Sequence, residues 1–289
     1  MQLFQLSAEK KSEYGLSEEY LAIKRSIYTL TNIVKNFLDK GNELERICRV
    51  ALLMCKSGVS QQISIFNRLA DYCVSKQKSD GGWLGVVDTV WCTSFISLYE
   101  EYANSVENAL GWLDGQKHSD GSWGRTRRDI GRIPTTGLML NLLPRLSSEL
   151  SLGWLENQWK RETEFEPVMT YKAAFVLMAF KANNYQSPDH SFIPRVIDWL
   201  SGQQNDDFGW GPYKNHPINS TPYCTGISLL GLLQYPQNVP EDVFRKGLNW
   251  LLENQIPEGL WADHYIEEGS SWALYALTQI LSYLSHYDD

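Results

Sequence analysis

Four arginines fall within eight residues of an otherwise acidic chain, in the segment Gly124-Arg-Thr-Arg-Arg-Asp-Ile-Gly-Arg132. The 289 residues include 26 lysines and arginines against 34 aspartates and glutamates, a formal net charge of −8. Guanidinium groups bind phosphate oxygens in pairs, and a helix N-terminus adds partial positive charge. Because the segment leads into an apolar stretch, it predicts an anion site formed by Arg125, Arg127, Arg128 and Arg132. A solvated basic surface, or a patch for a protein partner, is the alternative.

A second group of titratable side chains follows Trp261 and comprises Asp263, His264, Glu267 and Glu268. Carboxylates beside an imidazole are suited to general acid–base catalysis once they are removed from water. We therefore predict that Asp263 and His264 move protons. The alternative is a polar loop whose histidine is simply exposed.

Aromatic residues on or next to strongly apolar segments are candidates for a substrate pocket. They are Trp91, Tyr171, Phe175, Tyr223, Trp272 and Tyr275. A cavity lined in this way suits an isoprenoid chain and stabilises a carbocation by about 0.5 to 2 kcal/mol per ring. We predict Trp91, Tyr171, Tyr223 and Trp272 as substrate-binding residues. The same rings are equally compatible with a dry, filled core.

An internal repeat indicates the elements that position these side chains. Four segments share a tryptophan followed closely by glutamine, ending at residues 116, 158, 203 and 255, and a weaker copy ends at Gln77. Most copies are followed by a glycine and then a tryptophan, at positions 83, 123, 210 and 261. Repeats of roughly 40 to 50 residues are typical of stacked supersecondary units.

Each repeat unit is predicted to contain an amphipathic outer helix and an inner helix that is apolar on nearly every side and therefore buried. The predicted outer helices span 17–39, 61–77, 105–116, 147–158, 191–204 and 240–255. The predicted inner helices span 43–57, 88–102, 134–144, 168–181, 220–234 and 269–285. Six of each predict an all-α protein with a single (α/α)6 toroid over residues 17–289. Residues 1–16 are predicted to be a polar extension.

The glutamine–tryptophan repeat resembles that of squalene–hopene cyclases, in the terpenoid cyclase and protein prenyltransferase superfamily. The resemblance covers roughly residues 60–285. It implies that each glutamine ties the end of an outer helix to the start of the next inner helix, while the tryptophan stacks on the amide. It also implies an enzyme that acts on an isoprenoid.

The acidic motifs of that superfamily are incomplete in this chain. Class II cyclases carry Asp-x-Asp-Asp-Thr, whose middle aspartate protonates an alkene. Here Val86-Val-Asp-Thr89 retains only the last acid, and Arg132-Ile-Pro-Thr-Thr136 retains none. Asp88 is therefore the catalytic candidate that the resemblance provides, although valine occupies the proton-donating position.

The metal-binding motifs of the superfamily are also altered. The magnesium-binding Asp-Asp-x-x-Asp of class I cyclases is matched only by Asp206-Asp207, which is predicted to be a turn. The resemblance to prenyltransferases suggests zinc at Asp88, Cys92 and His264, although the spacing differs. The Gly-Arg-Thr start of the arginine segment is similar to their diphosphate loop, Gly-Arg-Thr-Asn-Lys. The cofactor is accordingly unknown, and magnesium or zinc is possible.

The composition excludes several functional classes. An acidic chain with a pI near 5.2 is unsuited to nucleic acid, which is bound largely through its phosphates. No apolar run reaches the ~18 to 20 residues that span a bilayer, and the N-terminus does not resemble a signal peptide. Five cysteines without a CxxC pair predict reduced thiols in a cytoplasmic protein.

Three functions are consistent with these observations. The first is a terpene cyclase-like or prenyltransferase-like enzyme that binds an isoprenoid diphosphate in a central aromatic cavity. The second is a non-catalytic toroid that binds a lipid, a peptide or a protein partner. The third is a carbohydrate-active enzyme, whose two carboxylates would lie about 5 to 10 Å apart. Acids for it are available at Asp206, Asp207, Glu267 and Glu268, but the glutamine–tryptophan repeat argues against it.

Overall fold

The computed structural model describes residues 17–41, 43–164 and 167–285. The predicted polar extension 1–16 and the last four residues of the predicted toroid lie outside the described residues. The described part is all-α, as predicted. Its helices are α1 (Glu18–Lys40), α2 (Leu44–Lys56), α3 (Ser64–Ser75), α4 (Val86–Ile96), α5 (Ala103–Gly115), α6 (Ile133–Leu142), α7 (Glu149–Glu162), α8 (Thr170–Ala182), α9 (Phe192–Gly202), α10 (Pro222–Leu232), α11 (Glu241–Glu253) and α12 (Ile266–Ser285).

The even-numbered helices form a closed inner ring. Each one packs on the next along the chain, and α12 packs on α2 to complete the circle. The odd-numbered helices pack outside them, and α1 covers the closing contact because it touches α2, α3 and α12. The predicted (α/α)6 toroid is confirmed. No helix in the described part of the chain is both long enough and apolar enough to cross a membrane.

The burial pattern explains why the two helix types alternate. Every residue of α10 except Tyr223 is buried, which places the helix inside the ring. In α11 the buried residues Phe244, Gly247, Leu248 and Leu251 fall on one side of the helix, with Trp250 next to them. A helix with one apolar stripe packs with that stripe inward and leaves its other side in water.

The inner helices begin at one end of the ring, here called the mouth. The backbone N–H of Val86, in the first turn of α4, donates to the carbonyl of Arg125 in the loop before α6, at 3.3 Å. The backbone N–H of Tyr223, in the first turn of α10, donates to the Asp263 carboxylate in the loop before α12, at 3.2 Å. Six helix N-termini therefore place partial positive charge at the mouth.

Four loop tryptophans share one hydrogen-bonding arrangement. Each indole Nε1–H donates to a carbonyl ten residues earlier, on the preceding outer helix, at 2.6 to 2.9 Å. Each backbone N–H donates to a hydroxyl on the following inner helix at 2.9 to 3.0 Å. The tryptophans are 83, 123, 210 and 261, and their hydroxyl partners are Thr89, Thr136, Thr225 and Ser270.

The glutamines that join repeats are Gln77, Gln204 and Gln255, so the predicted register was partly wrong. The Nε2 group of each glutamine donates to two carbonyls. One belongs to a glycine or a phenylalanine four residues later along the chain. The other belongs to Ser105 for Gln77, to Val243 for Gln204 and to Ala22 for Gln255. These last carbonyls belong to the next outer helix, not to the inner helix that the resemblance implied. The joining position lies five residues after the aromatic residue, whereas the glutamines at 116, 158 and 203 lie only four after it.

We predict that Thr136→Val destabilises the protein whereas Thr93→Val does not. Both threonines are fully buried on inner helices. The Thr136 hydroxyl accepts the Trp123 backbone N–H, and its loss leaves that group unsatisfied at about 1–3 kcal/mol. The Thr93 hydroxyl has no hydrogen-bond partner among the described residues, so valine is neutral or stabilising there. Urea unfolding measures both effects, and equal losses in the two variants would contradict the assigned role of Thr136.

Candidate active site at the mouth

A cluster of charged side chains joins α2 to α12 at the mouth. Arg46 and Arg49, in the first two turns of α2, form ion pairs with Glu267 and Glu268, respectively, at the start of α12. Arg49 also lies 3.4 Å from the carboxylate of Glu45. The Glu267 side chain is only 6% exposed and that of Arg49 only 12%. These five residues are called the mouth cluster below.

Burial changes the acidity of this cluster. It raises the pKa of Glu45 and Glu268, and the charge of Arg49 opposes the change in each case. The negative charge of Asp88 raises the pKa of Glu45 further. Two carboxyl groups at the mouth therefore retain a proton at a higher pH than an exposed glutamate does.

The predicted aromatic residues come together beneath the mouth cluster. The ring of Trp272 lies 6.0 Å from Trp91, 6.3 Å from Phe175 and 6.4 Å from Tyr223, each at an edge-to-face angle. Tyr171 extends the group, 5.9 Å from Tyr223. Centroid distances of this size are typical of favourable aromatic pairs. These five residues form the aromatic cluster.

The aromatic cluster fills the ring at this level. Its members come from α4, α8, α10 and α12, and Trp91 and Trp272 are each only 2% exposed. The described rings therefore pack on one another where the sequence analysis expected them to line a central cavity. Tyr171 and Tyr223 are half-buried, and burial raises the pKa of both phenols. Tyr275 is half-buried too and packs on the core.

Arg49 links the two clusters. Its guanidinium lies over the Trp91 ring, 5.7 Å from the centroid, while the same group pairs with Glu268. Its neighbour Arg46 lies over the Tyr265 ring at 4.6 Å. A layer of acids and guanidinium groups thus rests directly on a layer of aromatic rings.

A cleft of about 400 Å³ opens beside the mouth cluster, between the starts of α2 and α4. Glu45, Arg46, Trp83, Asp88 and Cys92 are among its lining residues. The sequence candidate Asp88 therefore shares a solvent-connected space with Glu45. This is the position at the start of an inner helix that the sequence analysis predicted for it.

The arginine segment is exposed, and its arginines lie next to different parts of the protein. All four predicted anion-binding arginines are exposed, and Arg132 is paired with Asp129 at 2.9 Å. The charges of Arg125 and Arg132 oppose the raised pKa of Tyr171, so these two lie near the aromatic cluster. Arg127 and Arg128 occupy the turn between them. In that turn the Arg127 carbonyl contacts the His118 imidazole at 3.2 Å.

Asp263 and His264 do not form a side-chain pair. The Asp263 carboxylate accepts the backbone N–H groups of Tyr223 and His264, at 3.2 and 2.6 Å. Burial nevertheless raises the pKa of Asp263. The His264 side chain is exposed and lies against Tyr265, 4.5 Å between ring centroids. The structure thus gives Asp263 a backbone-capping role at the start of α10.

The suggested zinc ligands Asp88, Cys92 and His264 are not brought together. Among the described residues, the group of potential ligands that does converge consists of Cys48, Cys73 and Cys92. Spacing along the chain does not reveal this group, because its members come from three different helices. Asp207, which belongs to the one match to the magnesium motif, is already used by protein donors. Its carboxylate accepts from the Gly209 backbone, the Ser220 hydroxyl and the Trp250 indole.

Glu45, Arg46 and Arg49 were not singled out from the sequence, although a signal was present. The three charges fall in the first two turns of an inner helix that is otherwise strongly apolar, Leu44-Glu-Arg-Ile-Cys-Arg-Val-Ala-Leu-Leu53. A charge on a buried helix is retained only where a partner compensates it. That partner, α12, lies more than 200 residues away along the chain.

Known proteins resemble this chain in sequence and in fold. The sequence profile of the squalene-hopene cyclase C-terminal domain matches residues 167–282. The squalene–hopene cyclase of Zymomonas mobilis is 39% identical over 90 residues, which are 28% of this chain and 14% of that enzyme. The type II terpene cyclase MstE from Scytonema, in its apo form, has a TM-score of 0.68 at 14% identity, over 94% of this chain and 99% of that one. A variant of MstE in complex with geranylgeranyl dihydroxybenzoate has a TM-score of 0.67 at 13% identity, over 91% and 99% of the two chains.

These matches confirm the resemblance to the terpenoid cyclase superfamily that the repeats indicated. At 14% identity the likeness to MstE shows the fold alone. The match covers 14% of the length of the Zymomonas mobilis cyclase, so the activity and substrate of that whole enzyme do not follow from it.

Replacing Glu45 with glutamine should change how stability depends on pH. Burial raises the pKa of Glu45 above its unfolded value of 4.5, so just above that pH the folded protein holds more of this proton than the unfolded chain. The stability that the group contributes is full below pH 4.5 and is lost as the pH rises through the folded pKa. We expect wild type to lose stability relative to Glu45→Gln across that window, measured by urea unfolding from about pH 4 to pH 7.

Glu107→Gln is the matched control for this pH dependence. Glu107 is exposed, and its hydrogen bond with Arg145 lowers its pKa, so its contribution is lost as the pH falls. Wild type should therefore lose stability relative to Glu107→Gln as the pH falls, which is the opposite direction to the effect of Glu45. Parallel profiles for wild type and Glu45→Gln would mean that Glu45 titrates alike in the folded and unfolded chains.

Proposed function

We propose that this chain, which resembles the terpenoid cyclase superfamily, is a terpene cyclase-like enzyme whose reactive site is the mouth cluster and the aromatic cluster beneath it. The observation that carries the proposal is the contact of Arg49 with both layers. Through it, carboxyl groups with raised pKa are held next to rings that stabilise positive charge. Terpene cyclisation needs both an acid and a carbocation-stabilising surface.

The reaction proposed here starts with proton transfer to an alkene. Glu45 or Glu268 first takes up a proton and gives up its pairing with Arg49. It then transfers this proton to one alkene carbon, the π electrons form the new C–H bond, and the neighbouring carbon becomes cationic. Arg49 then stabilises the carboxylate that remains. Trp91 and Trp272 stabilise the carbocation by about 0.5–2 kcal/mol each. Asp88, on the wall of the same cleft, accepts the proton that is lost when the cation is quenched.

The substrate proposed is an isoprenoid with an anionic head group, a diphosphate in the first instance. Arg125 and Arg132 lie near Tyr171, where a head group at the mouth would meet them and the N-terminus of α6. The geranylgeranyl chain in the MstE complex supports an isoprenoid, since that protein shares the fold. Entry of a chain requires the half-buried ring of Tyr223 to move away from Trp272, and Tyr171, which packs on Tyr223, to move with it. The chain lacks the superfamily motif for magnesium and for zinc, so neither metal is assigned as a cofactor. Both are included in the binding test.

Ligand binding is tested by thermal unfolding with geranyl, farnesyl and geranylgeranyl diphosphate, with and without Mg²⁺ or Zn²⁺. A ligand bound only by the folded state at a hundredfold excess over its Kd stabilises by about 2.7 kcal/mol and raises the midpoint. We expect a rise that depends on chain length and is lost in the Arg125→Ala/Arg132→Ala variant. Arg145→Ala, an exposed arginine paired with Glu107, is the control and should keep the shift.

Turnover separates catalysis from binding. Glu45→Gln and Glu268→Gln should retain the thermal shift while one of them loses at least about 100-fold in product formation, the scale typical of a general acid. Product is measured by gas chromatography of hydrolysed extracts. A shift without product in wild type would leave a binding protein and overturn the enzyme proposal. The absence of any thermal shift would overturn the proposal that the substrate is an isoprenoid diphosphate as well.

A non-catalytic ring that binds a lipid, a peptide or a protein partner is the second candidate. It is favoured by the filled centre and by exposed apolar side chains in three loops that precede inner helices. These are Leu84, Ile130 and Ile218, which are 83%, 73% and 59% exposed. Apolar side chains grouped at one end of a protein are typical of an interaction surface.

The apolar rim is tested with vesicles of neutral phospholipid. If the second candidate is right, vesicles float with the wild-type protein, and the Leu84→Ser/Ile130→Ser/Ile218→Ser variant stays in solution with its helical content unchanged. Removal of apolar area weakens the association by about 25 cal/mol per Å² no longer buried. Equal flotation of the two proteins would exclude these three side chains as the binding surface.

A further inference from the structure

Three thiols converge where α2, α3 and α4 meet. Cys48, Cys73 and Cys92 come from one helix each, and all three are 0% exposed. Their Sγ atoms all lie within 4.8 Å of one another, and none is part of a disulfide. A triangle of free sulfur atoms is thus enclosed inside the first part of the ring.

The repeat shows that the fold does not require a cysteine at one corner of this triangle. The carbonyl of Cys73 accepts the indole N–H of Trp83 at 2.9 Å. In three other repeats the residue in this position, defined by the same bond, is a leucine: Leu113, Leu200 or Leu251. Leucine is the larger apolar residue and packs such a position without sulfur chemistry. The cysteine therefore departs from the pattern at the one place where two other thiols are within reach.

The triangle has dimensions suited to a metal ion. With edges of at most 4.8 Å, an ion at its centre would lie within about 2.8 Å of every sulfur, close to the ~2.3 Å of zinc–thiolate bonds. A displacement of each sulfur by about 0.5 Å toward the centre would close that difference. Thiolates select soft d10 cations, chiefly Zn²⁺ and Cu⁺.

The cleft described above supplies a route to the triangle. Cys92 lines it together with Asp88, one helical turn earlier on α4. An ion can therefore reach the thiols from solvent past two acids, Asp88 and Glu45. A fourth ligand, a water or a carboxylate oxygen, would come from this cleft and requires a small opening beside Cys92, which is fully buried.

We infer that Cys48, Cys73 and Cys92 form a binding site for a thiophilic d10 cation, with all three sulfurs as ligands. Two arguments bear on which cation is held. Three thiolates without a further ligand suit trigonal Cu⁺, whereas Zn²⁺ needs a fourth ligand from the cleft. Charge favours Zn²⁺, since three thiolates with a divalent ion leave one net negative charge to bury and Cu⁺ leaves two. Either ion displaces the thiol protons to solvent as it binds.

The site is tested on the whole chain, purified under reducing conditions without metal. Separate titrations use Zn²⁺ and Cu⁺, each against a competing chelator, and bound metal is counted by elemental analysis after gel filtration. We expect one ion per chain and a raised thermal midpoint. X-ray absorption should give three sulfur neighbours alone for Cu⁺, or three with one oxygen for Zn²⁺.

Variants connect the ion to these sulfurs. Cys73→Leu installs the residue that other repeats carry, and Cys92→Ala is a second variant for use if the first does not fold. Each should weaken binding at least about tenfold while circular dichroism shows an unchanged helix content. Cys224→Ala removes a buried cysteine outside the triangle and should retain the ion. Wild-type affinity in both triangle variants, or less than one ion per wild-type chain, would overturn the site.

Discussion

The loop tryptophans are the contact on which the rest of the ring depends. Each one holds an outer helix through its indole N–H and an inner helix through its backbone N–H, as Trp210 does with Leu200 and Thr225. These groups are fully buried, so each bond also removes a polar group that would be costly to leave unpaired. The arrangement fixes where four of the six inner helices start, namely α4, α6, α10 and α12. Because the candidate site is built from the starts of inner helices, its geometry follows from the same bonds.

The closing contact of the ring is also part of the candidate site. Arg46 and Arg49 lie on the first inner helix and their partners Glu267 and Glu268 on the last. Breaking one partner of a buried ion pair is costly, because the other charge is left without compensation. The acids cannot therefore be changed without weakening the contact that closes the ring. Burial makes Glu268 harder to ionise, and its ion pair with Arg49 makes it structural, so the proposed function and the stability depend on the same side chain.

Sequence reasoning succeeded where the signal is periodic. Alternating amphipathic and wholly apolar helices predicted the toroid. The aromatic residues Trp91, Tyr223 and Trp272 lie together in the structure, and the substrate-binding role predicted for them stays a prediction. It failed where the assignment of a residue depends on a shift of one position along the helix. Gln203 and Gln204 are adjacent, yet only Gln204 reaches both loop and neighbouring outer helix. It failed too for contacts between distant segments, such as Arg46 with Glu267 and the three thiols, because spacing carries no information about partners on other helices.

A filled ring and a cyclase-like site are compatible, because a cyclase must exclude water from its carbocation. In the ligand-free chain the aromatic rings satisfy one another, with Trp272 in contact with three neighbours. An isoprenoid chain that replaced those contacts would exchange one apolar surface for another, so little hydrophobic free energy is lost when the rings move apart. The half-buried Tyr171 and Tyr223 stand between this cluster and solvent. In the proposed function the polar layer above them supplies the acid, and the aromatic layer below supplies the dry, electron-rich surface. Arg49 contacts both layers.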